Sequence, residues 1–323
     1  MLPEIRLIHQ LTQNQIFEVT TRTEADLKAW LASGQYLMEQ PLTSNADNKR
    51  RAAEFKIRVQ RQGFLFSALA NDCNRFSQAA IETMWCIGKV EKLPKSTSWA
   101  SIQMYYSAFF AAHAILRMFG RACTQLDKNH VDVVYQVAQV TQMHGNVTGI
   151  ENGFYNSMME NGCVTYKKLK ESHADTWFSF SNLLTWIIEQ IPNTSGLGKH
   201  KYSAIDLVSS LKSSLAKSGA AKSNWPSMVR NKINYQHSHG VWYPYKGAVH
   251  DADAVLKNSE WSKFPDSFDI KARKNDVQTL FNISNLILSF MYNLMRYGHE
   301  RAGKISSPLE NGTFRLVRQI RVA

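Results

Sequence analysis

The stretch FLFSALANDCNRFSQAAIETMWCIGKV, Phe64 to Val90, decides the class of fold. Phe66, Leu69, Cys73, Phe76, Ala80, Met84 and Ile87 recur at steps of three and four. That spacing lays one apolar stripe along a long helix. LPKS (Leu93–Ser96) interrupts the pattern, and a second helix follows in SWASIQMYYSAFFAAHAILRMFG, Ser98 to Gly120. It has almost no polar face, so it must be packed on most sides, and Gly120 is suited to close it.

Further helices are expected in HVDVVYQVAQVTQ (His130–Gln142), TWFSFSNLLTWIIEQI (Thr176–Ile191), SAIDLVSSLKSSLAKSG (Ser203–Gly219) and NDVQTLFNISNLILSFMYNLMRYG (Asn275–Gly298). Turn signals lie at NVTGIENG, ENG and PNTSGLG. Near the N-terminus, TEADLKAWLASGQYLM reads as a helix with Thr23 as its cap and Asp26 at its third position. NADNKRRAAEFKIRVQRQG (Asn45–Gly63) reads as a linker running into a charged helix. EIRLIH (Glu4–His9) and GTFRLVRQIRV (Gly312–Val322) read as strands that pair with each other. The fold class is therefore mainly α. A helical bundle over 63–300 carries a helical insertion at 121–200, an N-terminal extension and basic linker over 1–62, and a C-terminal tail over 301–323 that forms a strand.

Lysine and arginine number 38 against 26 acidic residues, a formal charge of +12. Such a surplus points to a polyanionic partner, with nucleic acid first, or to charge kept for solubility. Cys73, Cys86, Cys123 and Cys163 have neither CxxC nor Cys/His spacing, so they read as reduced core residues. No set of side chains has metal-ligand spacing, and no cofactor motif is present. MLPEIRLIHQLTQ lacks the apolar core of a signal peptide. The most apolar run, Leu280–Met295, is too short to span a bilayer and contains three asparagines. The expectation is a cytoplasmic protein with no membrane contact.

The chemistry concentrates in SNWPSMVRNKINYQHSHGVWYPY, Ser223 to Tyr245. Asn224 is suited to cap a helix, Pro226 to begin it and Gly240 to end it. At ~100° per residue, Trp225, Met228, Val229 and Ile233 share one side, while Arg230, Asn234 and His237 gather on another. An imidazole can take and return a proton near neutrality. A guanidinium keeps its charge and forks onto two phosphate oxygens. Together they are sufficient to cleave RNA without a metal, the ribose 2′-hydroxyl serving as nucleophile. His239 is a second proton-transfer group or a helix-end charge. Trp242 and Tyr243 stack on unpaired bases or pack beneath the loop.

Two stretches carry a resemblance. RNKINYQH (Arg230–His237) resembles the motif of the HEPN superfamily, an arginine separated by four to six residues from a histidine, with a polar residue, here Asn231, after the arginine. YYSAFFAAHAILRMFG (Tyr105–Gly120) is similar to the aromatic, alanine-rich helix of many members. The resemblance spans roughly Phe64–Gly298, outside the 121–200 insertion. It implies a bundle that dimerises, and a metal-independent endoribonuclease acting as a toxin or anti-phage effector. It also implies a partner protein from a defence or toxin–antitoxin operon. Arg230 would hold the scissile phosphate, His237 would be the general acid/base, and Asn231 would orient them or bind RNA. Substrate contacts would come from Asn234, His239, Trp242 and Tyr243. His239 stands where members silenced by adenylylation have a tyrosine. The competing reading is a non-catalytic RNA-binding or scaffold subunit of a larger defence complex.

Overall fold

The computed structural model describes residues 2–20, 25–44, 50–88, 97–242, 261, 265 and 275–322. The chain is mainly helical and also carries one antiparallel sheet.

Helices α1 (Pro3–His9) and α2 (Leu27–Ala32) come first, followed by strands β1 (Tyr36–Met38) and β2 (Glu54–Val59). The two long helices α3 (Gln62–Gly88) and α4 (Ser98–Met118) pack against each other. Next come β3 (Arg121–Leu126), α5 (Lys128–Val140), β4 (Gly153–Glu160) and β5 (Cys163–Lys168). Helices α6 (Ser172–Gln190), α7 (Lys201–Leu215), α8 (Trp225–Gln236) and α9 (Asp276–Arg301) continue the bundle. The short α10 (Ser307–Asn311) and α11 (Thr313–Val322) close it.

The apolar stripe of α3 is buried as its spacing requires, apart from the half-buried Phe76. Helix α4 is enclosed on nearly every side, by α3, α9, α8 and α6. Leu280–Met295 lies buried within α9, and no described helix is long and apolar enough to cross a membrane.

The sheet, in the order β1-β2-β5-β4-β3, is the main departure from the sequence reading. The insertion is not purely helical, because 121–200 supplies three of the strands. The basic segment of the N-terminal extension supplies β2 in place of a charged helix. Phe55, Ile57 and Val59 face inward there while Lys56 and Arg58 alternate with them, a period of two that wins over the charge count. Extension and insertion thus build one sheet together, and α2, α5 and the start of α3 bury a second apolar core with it. Between β4 and β5 the turn is Asn161-Gly162, both at positive φ, the conformation that hairpins of this length demand.

The chain ends do not pair as strands. Pro3 opens α1, and Ile5, Ile8 and His9 are buried along it at steps of three and four. In α11, Phe314 and Val317 turn inward, three residues apart. The Asn74 side chain accepts from the Thr313 amide at 2.8 Å and so caps that helix. Asp26, not the third residue of α2, is its cap and accepts from the Ala29 amide at 2.8 Å. Thr23 lies outside the described residues. Cys73, Cys123 and Cys163 are buried, whereas Cys86 is exposed and not a core residue.

Candidate functional site

Helix α8 runs antiparallel to the start of α4, held at one end by the Thr97 amide, which donates to the Val241 carbonyl at 3.0 Å. Trp225, Val229 and Ile233 are buried and Met228 is half-buried, as the helical layout requires. Asn224 precedes the helix but makes no side-chain cap bond. The helix stops at Gln236, earlier than Gly240, because His237 turns left-handed at φ 49°.

That early stop separates the two motif residues. His237 is exposed, with its ring 5.5 Å from that of Trp242. The Trp242 indole N–H donates to the Ile233 carbonyl at 2.8 Å, and its ring meets the edge of Trp99. Trp99 is 59% exposed, so two indoles and an imidazole share a surface patch at this end of α8. Asn231 is exposed and Asn234 half-buried. His239 lies past the helix end at φ 69°, with Nδ1 3.9 Å from the Asp276 carboxylate at the start of α9. Tyr243 lies outside the described residues.

Arg230 is not on a solvent-facing side. Only 7% of it is exposed, and its guanidinium lies over the rings of Tyr105 at 5.2 Å and Tyr106 at 5.9 Å. It sits on the flank of the apolar side of α8, and α4 covers both. No carboxylate forms an ion pair with it among the described residues, and its Nε has no hydrogen-bond partner.

The imidazole that the fold brings to Arg230 is His173, in the first turn of α6. Its Nδ1 is 2.8 Å from the Tyr105 hydroxyl, which also accepts from the Trp177 indole N–H at 3.2 Å. Burial pushes the Tyr105 hydroxyl up, partly offset by Trp177, Ser227 and Arg230. Burial first, and then the Arg230 charge, hold His173 below the ordinary imidazole value, so it is neutral at pH 7. No sequence signal links His173 to Arg230, because the contact exists only once α4, α6 and α8 are packed.

A cleft of about 200 Å³ opens beyond His173, between α3, α4 and the β3–β4 edge of the sheet. Phe109 packs against both His173 and His113, with ring centres 4.6 and 4.7 Å away. Burial first, then the charges of Arg117 and His173, hold His113 far below the ordinary imidazole value. Arg117 lies over the Phe76 ring at 4.3 Å and bonds the Asp72 carboxylate at 3.3 Å. The other oxygen of Asp72 takes Arg75 at 2.5 Å.

Among the described residues, no three His, Cys, Asp or Glu side chains converge as a metal site would require. Comparison of the chain with family models, with curated proteins and with solved structures finds no match.

Proposed function

We propose that the protein is a metal-independent endoribonuclease in which Arg230 holds the scissile phosphodiester and imidazoles move the protons. One observation carries the reading. Arg230 is nearly buried, yet its charge meets no carboxylate among the described residues. A permanently charged group in that state attracts an external anion, and its fork matches two phosphate oxygens.

Cleavage by transesterification needs two proton transfers. One imidazole takes the 2′-hydroxyl proton as the 2′-oxygen forms its bond to phosphorus. The bond from phosphorus to the 5′-oxygen breaks, and a second imidazole supplies that oxygen with a proton. The products are a 2′,3′-cyclic phosphate and a 5′-hydroxyl. His237 is the imidazole at the end of the same helix, and His173 is the one joined to Arg230 through Tyr105. The guanidinium provides the positive charge that a metal provides elsewhere. Asn231, Asn234, His239 and the Trp99–Trp242 patch would contact the strand, aromatic rings stacking on its bases. A role as a homodimeric toxin or anti-phage effector with a partner protein follows from the HEPN resemblance alone.

The test is incubation of purified protein with single-stranded RNA in EDTA. Fragments should end in a cyclic phosphate, and Arg230→Ala should abolish them. Tight RNA binding with no cut by the intact protein would identify a non-catalytic RNA-binding subunit instead.

A further inference from the structure

The cleft beside His173 lies outside the Arg/His motif and has its own chemistry. At about 200 Å³ it is smaller than the ~300–1,000 Å³ of sites for whole organic ligands, so a single flat ring suits it better. Phe76, Phe109 and Phe154 line it, and its polar groups include Gln125 and Arg75. Phe154 and Gln125 are directly opposed on neighbouring strands, so an aromatic face and an amide sit side by side on a rigid sheet. The Arg75 side chain is 60% exposed at the rim, where it pairs with Asp72 at 2.5 Å and Asp26 at 3.2 Å.

We infer that this cleft receives one unpaired base of an RNA strand whose scissile phosphate lies at Arg230. The assignment rests on the nuclease reading above. His173 joins the two places, since it lines the cleft and also bonds the Tyr105 hydroxyl, over whose ring Arg230 lies. A strand with its phosphate on Arg230 therefore has an aromatic slot next to that phosphate. Phenylalanine rings stack on any base, and Gln125 offers both a donor and an acceptor to its edge. Of the phenylalanines, Phe154 is half-buried on a strand, whereas Phe109 is buried in the helical core.

The experiment uses the full chain and a fluorescein-labelled single-stranded RNA made uncleavable by 2′-O-methyl groups, read by fluorescence anisotropy. A series of oligonucleotides carries one abasic site, moved along the strand. In the wild-type protein, one position should lose about tenfold in affinity when its base is removed, as expected for one lost stack. Phe154→Ala should weaken the intact oligonucleotide by a similar factor and lose nothing more at that position, while Phe154→Tyr stays within about twofold. Cleavage of unmodified RNA is measured in parallel. An active nuclease whose binding ignores both Phe154 and every abasic position overturns the base slot and leaves the nuclease standing. Binding through Phe154 with no cleavage by the wild-type protein overturns the nuclease and leaves the slot. A protein that neither binds nor cleaves overturns both.

Discussion

Replacing Arg230 with methionine should abolish cleavage and leave the protein as stable as before, or more so. Methionine matches arginine in helix propensity and keeps an unbranched stem in the same space. The substitution gives up two contacts between the guanidinium and the Tyr105 and Tyr106 rings, each worth ~0.5–2 kcal/mol. A sulfur over the same rings returns ~0.3–1.5 kcal/mol. Against the difference stands relief of a buried charge with no carboxylate partner among the described residues, a burden of several kcal/mol. The balance favours methionine by about 1–2 kcal/mol. Arg230→Lys should be the least stable of the three, because an ammonium is more strongly hydrated and loses more on burial. Urea unfolding followed by tryptophan emission reads this directly, since Trp177 and Trp225 are buried in the helical core. Cleavage should fall by at least ~10²-fold, the usual effect of removing one donor that meets developing charge. If Arg230→Met instead unfolds about 3 kcal/mol more easily, the guanidinium is a structural tie and the argument from its unpaired charge collapses.

Three further outcomes are expected. Asp72→Ala should destabilise by ~3–5 kcal/mol, because it strands the buried Arg117, whereas Arg75→Ala should cost under ~1 kcal/mol, since Arg75 is itself exposed and Arg117 still meets Asp72; equal effects in a denaturation series would contradict the assignment. His9 is wedged against Phe17 and Tyr297, and burial, then the Arg301 charge, push it down to about 4. Its contribution is complete above pH ~6.5 and is lost as pH falls through 4, about 3 kcal/mol in all, so His9→Leu should flatten the stability profile across that window. Mixing inactive Arg230→Ala with inactive His237→Ala should restore part of the cleavage if a dimer joins the two groups across its interface, and a monomer cutting at full rate would exclude that arrangement.

The helices were legible because their apolar spacing is redundant. The stripe of α3 and the enclosed α4 both repeat the same signal over many turns. The Asn-Gly turn between β4 and β5 was also readable as a turn. The strands were not, since β2 hides an alternation of only six residues inside a strongly basic run. Pairing between β2 and β5 joins segments far apart in sequence, and nothing local announces it. The ends misled for a related reason. In EIRLIH, Ile5 and Leu7 alternate as in a strand, while Ile5 and Ile8 fit a helix equally well, and docking on α7 and α9 decides between them. In the candidate site, a helix drawn in isolation put Arg230 and His237 on one side. Only the packed structure shows that α4 covers the arginine, that the helix ends before the histidine, and that His173 is the imidazole nearby.

The two buried arginines among the described residues make the strongest internal comparison. Arg117 is 1% exposed, and the fold answers its charge with Asp72, with the carbonyls of His113 and Cys123, and with the Phe76 ring. Arg230 is almost as buried, yet its described surroundings are two tyrosine rings and a histidine, with no carboxylate among them. Among the described residues, then, the chain answers one buried guanidinium with a carboxylate and surrounds the other with rings, joined through Tyr105 to the histidine that lines the aromatic cleft. A carboxylate placed against Arg230 would stabilise the fold and also occupy the fork that a phosphate needs. Introducing one tests this: Ser227→Asp, buried one turn of helix before Arg230, should suppress cleavage in a protein that still folds. A folded Ser227→Asp protein with cleavage intact would show that the guanidinium was never waiting for a phosphate.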